Sequence, residues 1–212
     1  MIEAEFISKF DDADAVDMSD TTTNITEENI KELHILADRY PQAQSAIIPM
    51  LHLVQSIDGK VSGEGVRHIA RILDLPEAVV LGVVTFYTMF HKEAVGKHLI
   101  GVCTTSLCAV MGGDMVYETV RKHLGLDGEG TTEDGAFTLE RVECNAACDF
   151  APVMMLNWEF MDNMTPRKAI EIIEKLRNDE EVHSTRGPQI TSWRDNCLLY
   201  TSPSPRDQRG SR

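Results

Sequence analysis

The sequence predicts a module of four helices followed by an α/β layer domain. Three observations predict it. Apolar residues between positions 25 and 92 recur at three- and four-residue spacing, the period of an amphipathic helix. After Gly96, short β-branched runs alternate with helical stretches. Two close pairs of cysteines then follow two of those runs.

The elements read in order as follows. Thr26 is an N-cap with acids behind it, and Ile30, Leu33, Leu36 and Ala37 form the first apolar stripe. Ala46, Ile47, Met50, Leu51 and Val54 form the second; Pro49 either kinks this helix or sits near its start, and Asp58-Gly59 ends it. Ser62-Gly63-Glu64 opens the third, and Leu75-Pro76-Glu77 the fourth, with Pro76 in the first turn. The fourth helix carries Val79, Val80, Val83, Val84, Phe86, Tyr87 and Phe90, so broad an apolar surface that burial on more than one side is expected. His98 to Val102 reads as a strand ending at Cys103, Leu107 to Leu124 as one helix, and Phe137 to Val142 as a strand leading to Cys144. Val153 to Asn157 is a third strand, and Thr165-Pro166 opens a last helix with Ala169, Ile170, Ile173 and Leu176 on its core side. The second piece is therefore β-α-β-β-α.

Residues 1–24 are acidic and aperiodic, which reads as a flexible tail or a strap that folds on a partner. Residues 197–212 carry three Arg against one Asp and match neither piece. They read as a non-native tail and are set aside, Cys197 with them. Net charge is −14, from 34 acids and 20 bases, which disfavours nucleic acid and anionic membrane surfaces. No apolar run reaches the roughly 18 residues of a spanning helix, so no direct membrane insertion is expected. The first residues lack a secretory pattern, so a cytoplasmic location is expected.

The cysteines are Cys103-x4-Cys108, then 35 intervening residues, then Cys144-x3-Cys148. Four thiolates saturate a tetrahedral zinc or a small iron–sulfur cluster. Neither pair has the x2 spacing usual in zinc knuckles, and wider loops suit two separated irons. Structural zinc in an interaction module without redox chemistry, dithiol chemistry and simple buried thiols are the alternatives. If the strands before the two pairs are neighbours, the four sulfurs converge at one end of the sheet. Free N–H groups at the start of the helix from Leu107, and the compact Asn145-Ala146-Ala147, are then available to an anionic cluster. None of the seven histidines pairs with another His or a Cys at ligand spacing, and there is no Gly-x-Gly-x-x-Gly or P-loop. Gly112-Gly113 permits close backbone packing, and Met111, Met115, Met154, Met155, Met161 and Met164 read as core filler.

Cys103-x4-Cys108 and Cys144-Asn-Ala-Ala-Cys148-Asp-Phe-Ala-Pro-Val resemble the thioredoxin-like 2Fe–2S ferredoxin family. Within it they resemble the branch formed by the 24 kDa subunits of NADH:quinone oxidoreductase, respiratory complex I. Gly82 to Phe90, Asn157-Trp158-Glu159-Phe160 and Arg186-Gly187-Pro188 fit that branch as well. The resemblance covers roughly residues 25–196. It implies a helical module over 25–95, a thioredoxin-like 2Fe–2S domain over 96–182 and an extension over 183–196. It also implies one 2Fe–2S cluster per chain, ligated by Cys103, Cys108, Cys144 and Cys148, with no catalytic residue on the chain. FMN and NADH are expected on a partner, the flavin- and NADH-binding subunit, and the larger iron–sulfur subunit of the same complex is the other expected partner. The location so implied is the cytoplasmic face of the inner membrane, as a peripheral part of a membrane complex. Relatives also serve as diaphorase subunits of NAD-linked hydrogenases and formate dehydrogenases, which leaves the parent complex open.

Overall fold

A computed structural model describes residues 15–199 and 201, so residues 1–14, 200 and 202–212, including Asp11, Asp12 and Asp14 of the expected tail, lie outside the described residues. The described residues form two compact units, residues 15–94 together with 197–199 and 201, and residues 95–196.

The first unit holds α1 (Glu27–Ala37), a 3-10 turn (Ala43–Ala46), α2 (Ile47–Asp58), α3 (Gly63–Leu73) and α4 (Glu77–Phe86). Thr26 caps α1 reciprocally with Asn29, and Ser62 caps α3. Pro49 is the third residue of α2, where a missing N–H breaks no helical bond. Pro76 precedes α4 as its N-cap rather than lying inside the first turn. Leu33, Met50, Leu51, Val54, Val66 and Ile69 form the centre of the core. The buried Gln55 crosses to the chain after α4: its Nε2 donates to Met89 O at 3.1 Å and its Oε1 accepts from His91 N at 2.8 Å.

Two expectations for this unit are corrected. Residues 15–24 are not a loose tail. Val16 is buried in the core, the Met18 carbonyl accepts from Arg67, and Asp58 accepts from Thr23 and Asn24. Acidic composition conceals this because Asp17 and Asp20 cap local turns through Ser19 and Thr22. The fourth helix is buried on one side only: Val80 and Val84 are buried, while Phe86 is 77% exposed.

His52 lies against the Phe90 ring at 5.0 Å, and burial pushes its pKa down to about 4, as it does for His91. Unfolded histidines bind protons at about 6.5, so this contribution to stability is present above that pH and is lost as pH falls toward 4. Melting followed by circular dichroism is expected to show a lower transition at pH 5 than at pH 7.5. In His52→Gln the difference between the two pH values shrinks.

The second unit holds β1 (His98–Cys103), α5 (Ser106–Val110), α6 (Gly113–Leu124), β2 (Gly130–Thr131), β3 (Phe137–Val142), β4 (Met154–Leu156), β5 (Glu159–Met161) and α7 (Pro166–Arg177). The sheet order is β2-β3-β1-β4-β5. The central strand β1 is buried throughout, runs parallel to β3 and antiparallel to β4. Val116 and Val120 of α6 and Ala169 and Ile173 of α7 share a core with Ile100 and Leu139 of the sheet.

The expected single helix from Leu107 to Leu124 is two helices, because Gly112 takes φ +105° and turns the chain between α5 and α6. Two short edge strands, β2 and β5, extend the expected sheet. Met154, Met161 and Met164 are core, but Met111 and Met115 are exposed, contrary to the filler reading. The segment after α7 is tied to the sheet through Asn157, whose Oδ1 accepts from Leu99 N at 2.7 Å and whose Nδ2 donates to Thr191 O at 2.6 Å. A last helix, α8 (Trp193–Leu199), runs past Asn196. Cys197, set aside on sequence, is fully buried and accepts from Gln55 Nε2 at 3.6 Å within the first unit.

Candidate metal centre

Parallel pairing of β1 with β3 brings the cysteines together. Cys103, the last residue of β1, is in register with Val142, the last of β3, so both strands deliver their following loops to one end of the sheet. Clefts outside the carboxyl ends of parallel strands are where α/β proteins bind ligands. From Cys103 the chain turns through Thr104 and Thr105 into α5, whose inward residue is the buried Cys108. From Val142 it reaches Cys144, turns at Ala146 with φ +53°, and enters a 3-10 turn at Cys148. The peptide between Ala151 and Pro152 is cis, and the chain then returns along β4. Gly113 closes the arrangement from the other side: a Cβ there would lie 2.5 Å from the carbonyl oxygen of Cys103 and 2.9 Å from that of Cys108.

The four sulfurs form an inner and an outer couple. Cys103 and Cys108 are buried, and Cys144 and Cys148 are exposed. The Sγ atoms of Cys144 and Cys148 are 3.7 Å apart, and Cys103 Sγ lies 3.3 Å from Thr105 Oγ1. Burial pushes the Cys103 thiol up, but bonds from the Thr105 hydroxyl and amide, from Cys108 and from the Asn145 amide outweigh it and leave the pKa lowered. Burial raises the Cys108 thiol; the Val153 amide opposes this, and the charges of Cys103 and Cys148 add to it. Cys148 is raised chiefly by Cys144, with smaller contributions from Cys103 and Asp149. Each couple therefore feels the other. Asn145 also presents a buried side-chain nitrogen that has no partner among the protein atoms.

Sequence reasoning places the amide donors at the helix start and in Asn145-Ala146-Ala147. The amides that favour negative charge on the Cys103 and Cys108 sulfurs are those of Thr105, Asn145 and Val153. Val153 escapes a reading of the sequence, because its approach depends on β4 lying beside β1, and no local pattern encodes that. Among the described residues, no three His, Cys, Asp or Glu side chains gather about a single ion. Four thiols on two loops at one end of the sheet are a donor set that fits a 2Fe–2S cluster.

The loop is braced from outside by the segment containing Arg186-Gly187-Pro188. Arg186 makes a two-pronged pair with Asp162 at 3.0 and 3.1 Å, lies 3.8 Å over the Phe160 ring and 5.6 Å from that of Phe150. Its partner Asp162 is nearly buried, and that guanidinium outweighs the burial and holds the carboxyl below the usual range. Arg186→Gln leaves Asp162 half-paired and removes the stacking. Calorimetry is expected to show a loss of about 1–2 kcal/mol, with the iron content per chain unchanged.

A family model described as thioredoxin-like [2Fe-2S] ferredoxin matches residues 33–177, a span that contains all four of these cysteines. The chain belongs to this family. Its relatives include the E subunit of the NADH-quinone oxidoreductase of Mycobacterium tuberculosis (strain ATCC 25618 / H37Rv), 46% identical over 173 residues, covering 81% of this chain and 69% of the relative. The protein of the same name from Rickettsia bellii is 36% identical over 162 residues, covering 75% of this chain and 97% of the relative. Among solved structures, an NAD+-reducing [NiFe]-hydrogenase in the air-oxidized state matches with TM-score 0.56 at 16% identity, covering 63% of this chain. This chain spans only 23% of that hydrogenase chain, and the likeness is one of fold. As a ferredoxin of this family the chain combines a helical module with a thioredoxin-like sheet, as the sequence resemblance implied.

Proposed function

We propose that Cys103, Cys108, Cys144 and Cys148 ligate one 2Fe–2S cluster. The chain is then the electron-carrying subunit of an NADH:quinone oxidoreductase. It exchanges single electrons with FMN on a partner that binds NADH, and the larger iron–sulfur subunit is its other neighbour. The observation that carries this reading is the delivery of both cysteine loops to one end of the sheet by the parallel pair β1 and β3. Two thiolates about 2.3 Å from one tetrahedral metal stand about 3.8 Å apart, and the outer couple is at 3.7 Å. The names of the relatives support the parent complex.

When bound, the cluster supplies a reversible one-electron site. The chain's own residues set its surroundings. Cys103 and Cys108 hold the dry side, anchored to β1 and α5. The amides of Thr105, Asn145 and Val153 favour negative charge on sulfur and would thereby favour the reduced state. Cys144 and Cys148 keep the outer edge accessible, which shortens the path to a partner. The sequence has no dinucleotide or P-loop fingerprint, in keeping with flavin and NADH on another subunit. The location that goes with this reading is peripheral, at the cytoplasmic face of the inner membrane; among the described residues no helix is long and apolar enough to cross a membrane.

Electron paramagnetic resonance of the dithionite-reduced full chain, with iron, sulfide and zinc counted on the same sample, tests this reading. Two irons and two sulfides per chain with a spin-half signal are expected. One zinc per chain and no visible absorbance would end it.

A further inference from the structure

Two side-chain donors at the cysteine loops have no role in the fold itself. Thr105 is the N-cap of α5 and has the extended backbone of a cap, φ −92° and ψ 148°, yet its hydroxyl bonds no helix amide. Thr26, Ser62 and Thr165, the N-caps of α1, α3 and α7, each accept from the amide three residues on. The Thr105 hydroxyl instead lies 3.3 Å from Cys103 Sγ. A thiolate bound to metal has no proton to give, so in that state the hydroxyl is the donor.

Asn145 is the second. It follows Cys144 in the other cysteine loop, and its main-chain amide favours negative charge on the Cys103 sulfur. Its side-chain nitrogen is buried and has no acceptor among the atoms of the described residues. A buried amide donor left unpaired is costly, so one that persists points to an acceptor outside the protein atoms. The acceptor chemistry gathered at this loop is sulfur.

We infer that the Thr105 hydroxyl and the Asn145 carboxamide donate to the sulfurs of the bound cluster and hold its midpoint potential up. This rests on the 2Fe–2S reading above. Uptake of one electron adds a negative charge to the sulfur-held group, so a donor to sulfur stabilises the reduced form more than the oxidised one. Both are positioning residues: they act through sulfur, ligate no metal and carry no proton away.

The test is a redox titration of the full chain with its cluster loaded, followed by the resonance signal of the reduced form, with iron and sulfide counted on each sample. Thr105→Val keeps the shape and removes the hydroxyl. Asn145→Leu keeps the bulk and removes the amide donor. Each is expected to retain iron and to lower the midpoint, so that at the wild-type midpoint the ratio of reduced to oxidised protein falls about tenfold, ~59 mV for a one-electron couple. Thr105→Ser is expected to restore the wild-type value, and Thr104→Val, in the same loop, to leave it unchanged. Because Thr105 does not cap α5, iron-free Thr105→Val is expected to melt with iron-free wild type.

Wild-type midpoints in both Thr105→Val and Asn145→Leu at full iron would overturn the inference and leave the cluster reading intact. A shift at one residue alone overturns it for the other. A Thr105→Ser midpoint as low as that of Thr105→Val, or an equal fall in Thr104→Val, overturns it too, since side-chain bulk or loop polarity is then the cause. Where the valine or leucine variant loses its iron, Thr105→Ala or Asn145→Ala carries the same expectation, and loss of iron there as well makes the side chain structural and overturns its tuning role. A wild type that binds zinc alone and shows no resonance signal would instead sink the cluster reading.

Discussion

Cys103→Ser is expected to lose most of the bound iron and to destabilise the second unit, whereas Cys148→Ser loses iron with little effect on the metal-free fold. The two differ because of where their sulfurs lie. Cys103 is the buried end of the central strand and gathers bonds from Thr105, Cys108 and Asn145. A serine there is a poor ligand for iron and brings a buried hydroxyl into a lining of Ala147, Ala151 and Val153. Cys148 is exposed, so its substitution removes a ligand without burying a new polar group. Metal binding contributes to folding free energy, so both variants as purified are expected to be less stable than the loaded wild type, by several kcal/mol on the scale of coupled metal sites. Only Cys103→Ser is expected to melt lower than wild type after iron is removed as well. Cys197→Ser is expected to leave the resonance spectrum unchanged, although burial of Cys197 makes a modest stability loss its own consequence. Iron analysis, visible absorbance and melting of loaded and stripped protein check all three.

Gly113→Val is expected to do as much damage as loss of a ligand, although residue 113 touches no metal. Its Cβ position is 2.5 Å from the carbonyl oxygen of Cys103 and 2.9 Å from that of Cys108, and both contacts are backbone. A flexible side chain would swing away; these peptides move only by shifting Cys103 and Cys108 themselves. Overpacking of this kind costs about 1–3 kcal/mol or more, and the displaced couple no longer matches its metal. Gly112→Ala is the control. Its neighbour position opens onto free space, so the cost is the left-handed backbone at φ +105° alone, about 1–2 kcal/mol. Gly113→Val is expected to purify with little iron and Gly112→Ala with nearly full iron at lower stability.

Most of the helical architecture is legible in the sequence because its signals are local. Thr26, Ser62 and Thr165 cap helices through bonds to amides three residues on, and Gly59 ends α2 in a left-handed conformation. The cysteine couples are legible for the same reason, since a ligand loop carries its spacing within a few residues. Less legible are features that need a second segment. The break at Gly112 is dictated by the approach of Gly113 to the two cysteine backbones, which a helical period does not reveal. The packing of residues 15–24 depends on Asp58 and Arg67, far along the chain.

Apolar periodicity reports that a helix has a greasy side, but not whether the chain itself covers it. That is why α4, Met111 and Met115 read as buried in the sequence and are partly exposed in the fold. The sequence alone determined the helical module, the strands that end at cysteines and the choice of sulfur as donor, because capping, alternation and ligand softness act over short distances. The tertiary structure decided that both cysteine loops leave one end of the sheet, that Cys103 and Cys108 are buried while Cys144 and Cys148 are exposed, and that Val153 and Arg186 pack against those loops. Those depend on β1 pairing in parallel with β3 and antiparallel with β4, contacts between segments about 40 to 55 residues apart whose pairing no local pattern encodes.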